Sequence, residues 1–272
     1  MTEFQTRRLL INGLTFNVVD QGQGEPVLLV HGFPDDHEVW RKQIPALLKA
    51  GYRVIAPDMR GCGLTDAPAQ VSAYKLDTLV SDLVALLDAL GITKVRLVGH
   101  DWGAGICWAL CLQHPERVER YVALSVGHLS AYTREPFEQK LKGWYIGFFQ
   151  LRGLCEWLLK RGNWRMMKWF AGQHSELAHW IPKLSRPGRL TAGINWYRAN
   201  LKLLLGPKLP KSTVPTLGIW SDGDKYLVEA QMVKTANWMN APFQYQRLQG
   251  ASHWLQLDAP DAINRFILNF FK

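Results

Sequence analysis

The residue best placed to do chemistry is Asp101, at the centre of a Gly-His-Asp-Trp-Gly sequence that spans residues 99–103. The apolar run 95–98 before it predicts a strand, and the helical apolar spacing of 104–110 after it predicts a helix. A strand that turns directly into a helix needs small flanking residues, because its central residue adopts a strained backbone conformation. Such an elbow holds one side chain above the sheet. That residue is commonly Ser, and here it is Asp.

An aspartate at this position predicts a reaction different from ordinary ester or amide cleavage. Its carboxylate is ionised near neutral pH, so no base has to activate it. It can displace a leaving group from an sp3 carbon, which gives an ester of Asp101 that water must then cleave. A histidine would activate that water. The competing interpretation is an ordinary turn aspartate on a strand-to-helix connection.

Candidate acids and a candidate histidine follow two late predicted strands. Asp222 and Asp224 come after the apolar run 216–220, and His253 comes after the predicted strand 243–248. The order of nucleophile, acid and histidine along the chain is that of the α/β-hydrolase arrangement. The chain has seven other histidines, and their positions fit a catalytic base less well, which favours His253. Either aspartate could be the acid on this reasoning.

The elements that would position these residues alternate between strands and helices. The predicted strands are 7–11, 14–19, 26–30, 53–56, 95–98, 118–124, 216–220 and 243–248. The predicted helices include 40–50, 76–90, one that begins at Glu229, and 259–271. This alternation predicts an α/β fold with a mostly parallel central sheet flanked by helices, whose ligands bind beyond the carboxyl ends of the strands.

The alternation stops between residues 129 and 213. This segment carries 15 Lys and Arg against 4 Asp and Glu, and it holds six of the twelve tryptophans. We interpret it as an inserted helical cap, or lid, on a core formed by residues 1–128 and 214–272. Its run 157–170 has two interpretations. We favour an apolar side packed on the core with the basic side in solvent over a weak contact with a membrane surface.

Composition bounds the remaining possibilities. The chain has 272 residues, with 47% hydrophobic and 20% charged residues, as in globular domains. We find no signal-peptide pattern and no apolar stretch near the roughly 18 residues of a membrane span. The four cysteines form no metal or disulfide pattern, so a cytoplasmic location is expected. Despite a net charge of +9, no nucleic-acid module is recognisable, and no cofactor or metal is implied.

Three motifs carry a resemblance to a known family. They are His-Gly-Phe-Pro at residues 31–34, Asp-Met-Arg-Gly-Cys-Gly at 58–63, and the elbow at 99–103. Over essentially its whole length the chain resembles the epoxide hydrolases of the α/β-hydrolase superfamily, which are related to haloalkane and fluoroacetate dehalogenases. The resemblance implies that Asp224, rather than Asp222, is the acid.

The resemblance also implies roles for backbone amides and for two tyrosines. The N–H groups of Phe33 and Trp102 would form the oxyanion hole, and the Phe33–Pro34 bond would be cis. Tyr197, in the sequence Asn-Trp-Tyr-Arg, and Tyr145 would hydrogen-bond the epoxide oxygen. A tyrosine suits this role because its pKa is about 10. The alternative for each tyrosine is an aromatic residue of the cap core.

Dehalogenation fits the sequence less well. Haloalkane dehalogenases commonly have Asn where Phe33 stands, or a second cap Trp, and fluoroacetate dehalogenases have Arg directly after the nucleophile, where this chain has Trp102. A ligand-binding or sensing protein that kept the hydrolase fold is the alternative from another class.

We therefore expect an apolar epoxide as the small-molecule partner, with monomer and homodimer both open. Activity is expected to fall as His253 becomes protonated, near its ordinary pKa of about 6.5. The expected pocket residues are Phe33, Pro34, Trp102, Phe149, Trp196 and Trp254.

Overall fold

One sheet of eight strands contains all the predicted strands. The computed structural model describes residues 4–133, 137–206 and 209–272. The strands are β1 Thr6–Ile11, β2 Leu14–Gln21, β3 Pro26–Val30, β4 Arg53–Pro57, β5 Val95–His100, β6 Val118–Leu124, β7 Thr216–Ser221 and β8 Phe243–Leu248. Their order across the sheet is β1-β2-β4-β3-β5-β6-β7-β8, in which β2 is antiparallel to both neighbours and the other pairs are parallel. The predicted α/β fold with a mostly parallel sheet is therefore confirmed.

Helices connect and cover these strands. They are α1 Gln43–Lys49, α2 Leu76–Ala89, α3 Trp102–Gln113, α4 Leu129–Thr133, α5 Phe137–Lys142, α6 Trp144–Phe148, α7 Leu154–Phe170, α8 Leu177–Ser185, α9 Arg189–Ala199, α10 Glu229–Val233, α11 Leu255–Asp258 and α12 Pro260–Phe271. Short 3-10 helices lie at His37–Trp40, Val71–Tyr74, Pro115–Arg117, Leu201–Leu205 and Lys234–Trp238. Among the described residues, no helix is long and apolar enough to cross a lipid bilayer.

The central strands are buried on both faces because they are continuous apolar runs. Residues 27–30 of β3 and 97–100 of β5 are fully covered, since helices lie on both sides of a parallel sheet. β5 lies between β3 and β6, so the end of β5 is at the middle of the carboxyl edge of the sheet. Residues that follow β3, β5, β7 and β8 therefore reach one region.

The segment between β6 and β7 is helical, as predicted. Its described residues from 129 to 206 form α4–α9 and contain no strand. We call these helices the inserted helical segment. It packs over the carboxyl edge of the sheet: α9 contacts the 3-10 helix at Val71–Tyr74 and approaches the loop after β3, where Phe33 lies against Gly193.

Two predicted helices differ from the structure. The helix predicted over 40–50 is divided into a 3-10 helix at His37–Trp40 and α1, because the Asp36 side chain caps the first of these at the Glu38 N–H group. The run 157–170 is helical but broken at residues 161–164, where the backbone leaves the helical region. Local apolar spacing predicts neither interruption.

Candidate active site

The predicted elbow lies where β5 turns into α3. Asp101 adopts φ 54° and ψ −126°, so its backbone is strained. The flanking glycines are needed because neighbouring backbone atoms leave no room for a side chain, rather than because glycine is flexible. A Cβ on Gly103 would lie 2.1 Å from the carbonyl oxygen of Val30, and one on Gly99 would lie 2.8 Å from Cα of Ala104. The strain at Asp101 is therefore held in place by tight backbone packing.

The structure brings the three residues predicted as nucleophile, acid and base into contact. His253 Nε2 lies 3.4 Å from Asp101 Oδ2, and His253 Nδ1 donates to Asp224 Oδ2 at 2.7 Å. The other oxygen of Asp224 accepts hydrogen bonds from the backbone N–H groups of Tyr226 and Leu227. Asp222 instead accepts from the Gly250 N–H group on the surface. Of the two candidate aspartates, Asp224 is therefore the one that contacts His253, as the resemblance implied.

The two carboxylates change the protonation of His253. Burial lowers its pKa, but the charge of Asp224 and the hydrogen bond and charge of Asp101 outweigh burial and raise the pKa to about 10. Burial likewise opposes ionisation of Asp101, yet the hydrogen bond and positive charge of His253 hold the pKa of Asp101 below its ordinary value. The unreacted site therefore contains an imidazolium and a carboxylate, and in this state the pKa of His253 lies above its ordinary value.

The predicted oxyanion groups lie on the same carboxylate. The backbone N–H of Phe33 donates to Asp101 Oδ1 at 2.9 Å, and the backbone N–H of Trp102 also hydrogen-bonds this side chain. The Phe33–Pro34 bond is cis, as the resemblance implied. The two carboxylate oxygens therefore differ: Oδ1 faces backbone donors, and Oδ2 faces His253.

Tyr145 and Tyr197 meet in front of Asp101. Their ring centroids are 5.8 Å apart, and the Tyr197 ring is 5.2 Å from that of Trp102 and perpendicular to it. Both side chains are buried, and burial raises both phenol pKa values well above 10, so both hydroxyls are protonated donors. α6 carries Tyr145 and α9 carries Tyr197, so the inserted helical segment supplies both.

Two cavities meet at these residues. The larger has a volume of about 100 Å³, and its wall is mainly apolar, with Val126, Leu129 and Ile146 among its residues. The smaller, of about 10 Å³, is lined by Phe33, Pro34, Tyr226, His253 and Trp254 among others. Asp101, Tyr145 and Tyr197 line both cavities.

Two predicted pocket residues lie behind the wall instead. Trp196 is fully buried, and its indole N–H donates to the carbonyl oxygen of Arg60, which turns the ring into the core. Phe149 packs edge-on against Tyr145 and Tyr197, with centroids 5.7 and 4.9 Å away. Neither is among the residues that line the two cavities. We therefore correct their assignment: they support the tyrosines rather than face the ligand.

Sequence reasoning missed Arg198, which holds both tyrosine-bearing helices. Its Nε donates to the Phe149 carbonyl oxygen at the end of α6, at 2.8 Å. Its two terminal nitrogens donate to the two oxygens of Glu156 in α7, at 2.7 and 3.1 Å. Burial raises the pKa of Glu156, but Arg198 outweighs this effect and lowers it to about 2. The guanidinium thus ties α6 and α7 to α9.

Asp35 and His100 were also missed. The buried carboxylate of Asp35 accepts from the indole N–H groups of Trp180 and Trp254, at 2.8 and 3.1 Å, and burial raises its pKa to about 8. His100 Nε2 donates to the carbonyl oxygen of His253 at 2.9 Å. Asp35 directly follows the motif at 31–34, and His100 belongs to the elbow at 99–103. Their support of the loop that carries His253 is seen only from their hydrogen-bond partners, which are distant in the sequence.

Comparison with known proteins gives a consistent result. A family described as alpha/beta hydrolase fold matches residues 25–154. Human epoxide hydrolase 4 is 36% identical over 97% of this chain and 78% of its own length. Epoxide hydrolase A of Mycobacterium tuberculosis is 33% identical over 97% of each chain. The crystal structure of an epoxide hydrolase from Vigna radiata superposes with a TM-score of 0.87 at 31% identity, over 99% of this chain and 98% of that one.

Proposed function

The chain belongs to the epoxide hydrolase family of the α/β-hydrolase fold, and we propose that it converts an apolar epoxide to a vicinal diol through an ester on Asp101. One observation carries this proposal. The side chains of Asp101, Tyr145 and Tyr197 converge where the two cavities meet, with His253 on the side of the smaller one. A carboxylate opposite two protonated phenols is suited to opening a carbon–oxygen bond and to receiving the oxygen that departs.

In the first step Asp101 Oδ2 attacks an epoxide carbon. The bond from that carbon to the epoxide oxygen breaks, and one tyrosine gives its proton to the oxygen as negative charge develops there. The apolar wall of the larger cavity favours an uncharged body for the substrate. None of the described residues that line either cavity is Lys or Arg, so a carboxylate substrate such as fluoroacetate would find neither of these as a partner.

Ester formation also prepares the second step. It removes the negative charge of Asp101, which is one of the two charges that raise the pKa of His253, so the pKa falls. His253 then gives up the proton that it carries in the unreacted site, which restores the ionised tyrosine, and the neutral imidazole becomes available as a base. The smaller cavity, beside His253, has about the volume that one water molecule requires. His253, oriented by Asp224, takes a proton from this water, which attacks the carbonyl carbon of the ester.

Hydrolysis of the ester releases the diol and returns the site to its original charges. The Phe33 and Trp102 N–H groups hold the negative charge that develops on Oδ1. The bond between the carbonyl carbon and the ester oxygen breaks, and His253 returns its proton to the departing alkoxide. Asp101 is left as a carboxylic acid, whose proton passes to His253 and restores the imidazolium and the carboxylate of the unreacted site. The sum is epoxide plus water giving diol.

We further propose that residues 129–213 form a cap over a core of residues 1–128 and 214–272. Tyr145 and Tyr197 support this division, because both belong to the inserted helical segment while the nucleophile, acid and base belong to the sheet-bearing part. The cap would thus supply the groups that receive the epoxide oxygen.

A product assay tests the reaction class. Purified protein would be incubated with aryl and alkyl epoxides, with haloalkanes and with fluoroacetate, beside Asp101→Asn as the matched control. We expect diol formation that the variant lacks. Halide release without diol would identify a dehalogenase instead, and binding without any turnover would identify a ligand-binding protein.

A further inference from the structure

Exposed apolar side chains are concentrated in one part of the inserted helical segment. Of the ten large hydrophobic side chains that are exposed in the described part of the chain, six lie between residues 141 and 169. Three of them are tryptophans: Trp144, Trp157 and Trp169 are 46%, 53% and 63% exposed. Sequence analysis favoured packing of this run against the core, and for Trp157 and Trp169 that interpretation is wrong.

Contacts between aromatic rings join part of this set. The rings of Trp144 and Trp169 are 6.0 Å apart, and Phe148 lies 6.1 Å from Trp144. Leu151 lies beyond the end of α6, with its N–H bonded to the Phe148 carbonyl, and the exposed residues Leu154 and Trp157 lie three apart in the first turn of α7. That spacing places Leu154 and Trp157 at neighbouring positions of the helix surface. We call the exposed residues Leu141, Trp144, Leu151, Leu154, Trp157 and Trp169 the tryptophan face.

The charge around the tryptophan face is positive. Residues 137–173 contain seven Lys and Arg against two Glu. One of the two, Glu156, is paired with the buried Arg198 and so does not offset the exposed charges. Arg152, Lys160, Arg161 and Arg165 are exposed, and the Arg161 guanidinium lies 4.9 Å from the ring centre of Trp157.

We propose that the tryptophan face docks the protein onto an anionic lipid bilayer, with the indole rings in the headgroup region. Tryptophan beside Lys and Arg is the composition of segments that lie in a membrane interface. A second copy of this chain is a poorer occupant, because its own face carries the same positive charge and would repel.

Docking would bring the site close to lipid. Trp144 is 6.5 Å from the ring of Tyr145, and Trp169 adjoins Phe170, which lines the smaller cavity. If the chain hydrolyses apolar epoxides, as proposed above, the bilayer is where such substrates concentrate. Only this consequence rests on the proposed function, since docking itself does not depend on turnover.

Vesicle flotation tests the proposal with the intact chain. The probes are phosphatidylcholine vesicles with and without phosphatidylglycerol. We expect the protein to float with the anionic vesicles and to be lost from them at high salt. Lys160→Gln combined with Arg161→Gln should weaken this binding about thirtyfold, because each basic residue near an anionic surface strengthens binding about fivefold. Trp144→Ser combined with Trp169→Ser should also weaken it.

The matched control is Leu10→Ser, which removes an equally exposed apolar side chain from the edge strand β1. It should bind vesicles like the unaltered protein. Absence of flotation, or flotation that survives both double variants, would overturn the proposal. If the protein sediments as a dimer and Trp144→Ser combined with Trp169→Ser makes it a monomer, the tryptophan face binds a second copy of the chain. That result would overturn the lipid proposal as well. Hydrolysis of a soluble epoxide, measured in the glutamine variant, reports separately on the proposed function.

Discussion

Asp224→Asn separates the two chemical steps of the proposed mechanism. Oδ1 of Asp224 accepts two backbone N–H bonds, from Tyr226 and Leu227, at 2.8 and 3.0 Å. Because an amide nitrogen cannot accept them, the asparagine must keep its oxygen there and turn its NH2 group toward His253 Nδ1. Nδ1 then has to accept, so the proton of the neutral ring moves to Nε2, the nitrogen that must take a proton from water. We expect the variant to fold, but the proton of its neutral His253 then occupies the nitrogen that should accept a proton from water.

The expected loss of rate in Asp224→Asn is large and is confined to hydrolysis of the ester. The same substitution in a serine-protease triad lowers kcat about 10⁴-fold, which corresponds to about 5.4 kcal/mol of transition-state stabilisation. We expect a loss of that order here, on diol release. Formation of the ester needs only the Asp101 carboxylate and the tyrosines, so the adduct should accumulate.

The assay combines steady-state diol formation with intact-protein mass spectrometry after mixing with epoxide. Asp222→Asn is the matched control: it alters an exposed turn with one hydrogen bond to the Gly250 N–H group and should keep nearly full activity. The reasoning is refuted if Asp222→Asn is the inactive variant. It is also refuted if Asp224→Asn slows turnover while no adduct appears.

Three further predictions concern the tyrosines, the buried arginine and pH. Tyr197→Phe should slow ester formation about 10²-fold and leave ester hydrolysis unchanged, with Tyr145 supplying the residual rate. Arg198→Met leaves the Glu156 carboxylate without its partner, so we expect the free energy of unfolding to fall by about 3 kcal/mol and Tm by roughly 6–12 °C. Adding Glu156→Gln should restore part of this stability. Single-turnover ester formation should be constant between about pH 5 and about pH 8, because the pKa of Asp101 lies below 3.8, whereas ester hydrolysis should slow as pH falls and His253 becomes protonated.

Each of these predictions has a contrary result. If Tyr197→Phe slows ester formation and ester hydrolysis equally, the tyrosine has a structural role rather than a role in epoxide opening. An unchanged Tm in Arg198→Met would mean that the guanidinium does not hold the helices together. If the rates of ester formation and of ester hydrolysis fall over the same range of low pH, the proposed drop in the His253 pKa on ester formation is contradicted. Rapid-quench measurements of adduct and diol distinguish the two steps.

The fold followed closely from local patterns. The bounds of β3, β6 and β8 were predicted to the residue. For β3 the reason is that a strand covered on both faces is an unbroken apolar run between turn residues. The elbow could be recognised because Gly99 and Gly103 are required by close backbone contacts. Positions of the candidate nucleophile and histidine could be predicted because parallel strands end at one edge.

What could not be predicted depends on partners far apart in the sequence. Residue types and spacing alone did not separate Asp224 from Asp222, because the contact with His253 joins residues far apart in the chain. The pKa of His253 likewise depends on two carboxylates 29 residues and more away. The break at residues 161–164 and the exposure of Trp169 reflect tertiary packing that helical spacing does not encode. Arg198 was visible as part of a motif, but its role requires the positions of α6 and α7.

Single turnover in ¹⁸O-labelled water tests the covalent role of Asp101 most directly. With protein in excess over epoxide, the diol oxygen that comes from the protein should carry no label, and the peptide containing Asp101 should gain one ¹⁸O atom. Labelled diol in the first turnover, with an unlabelled Asp101 peptide, would contradict the ester intermediate and indicate direct attack of water on the epoxide.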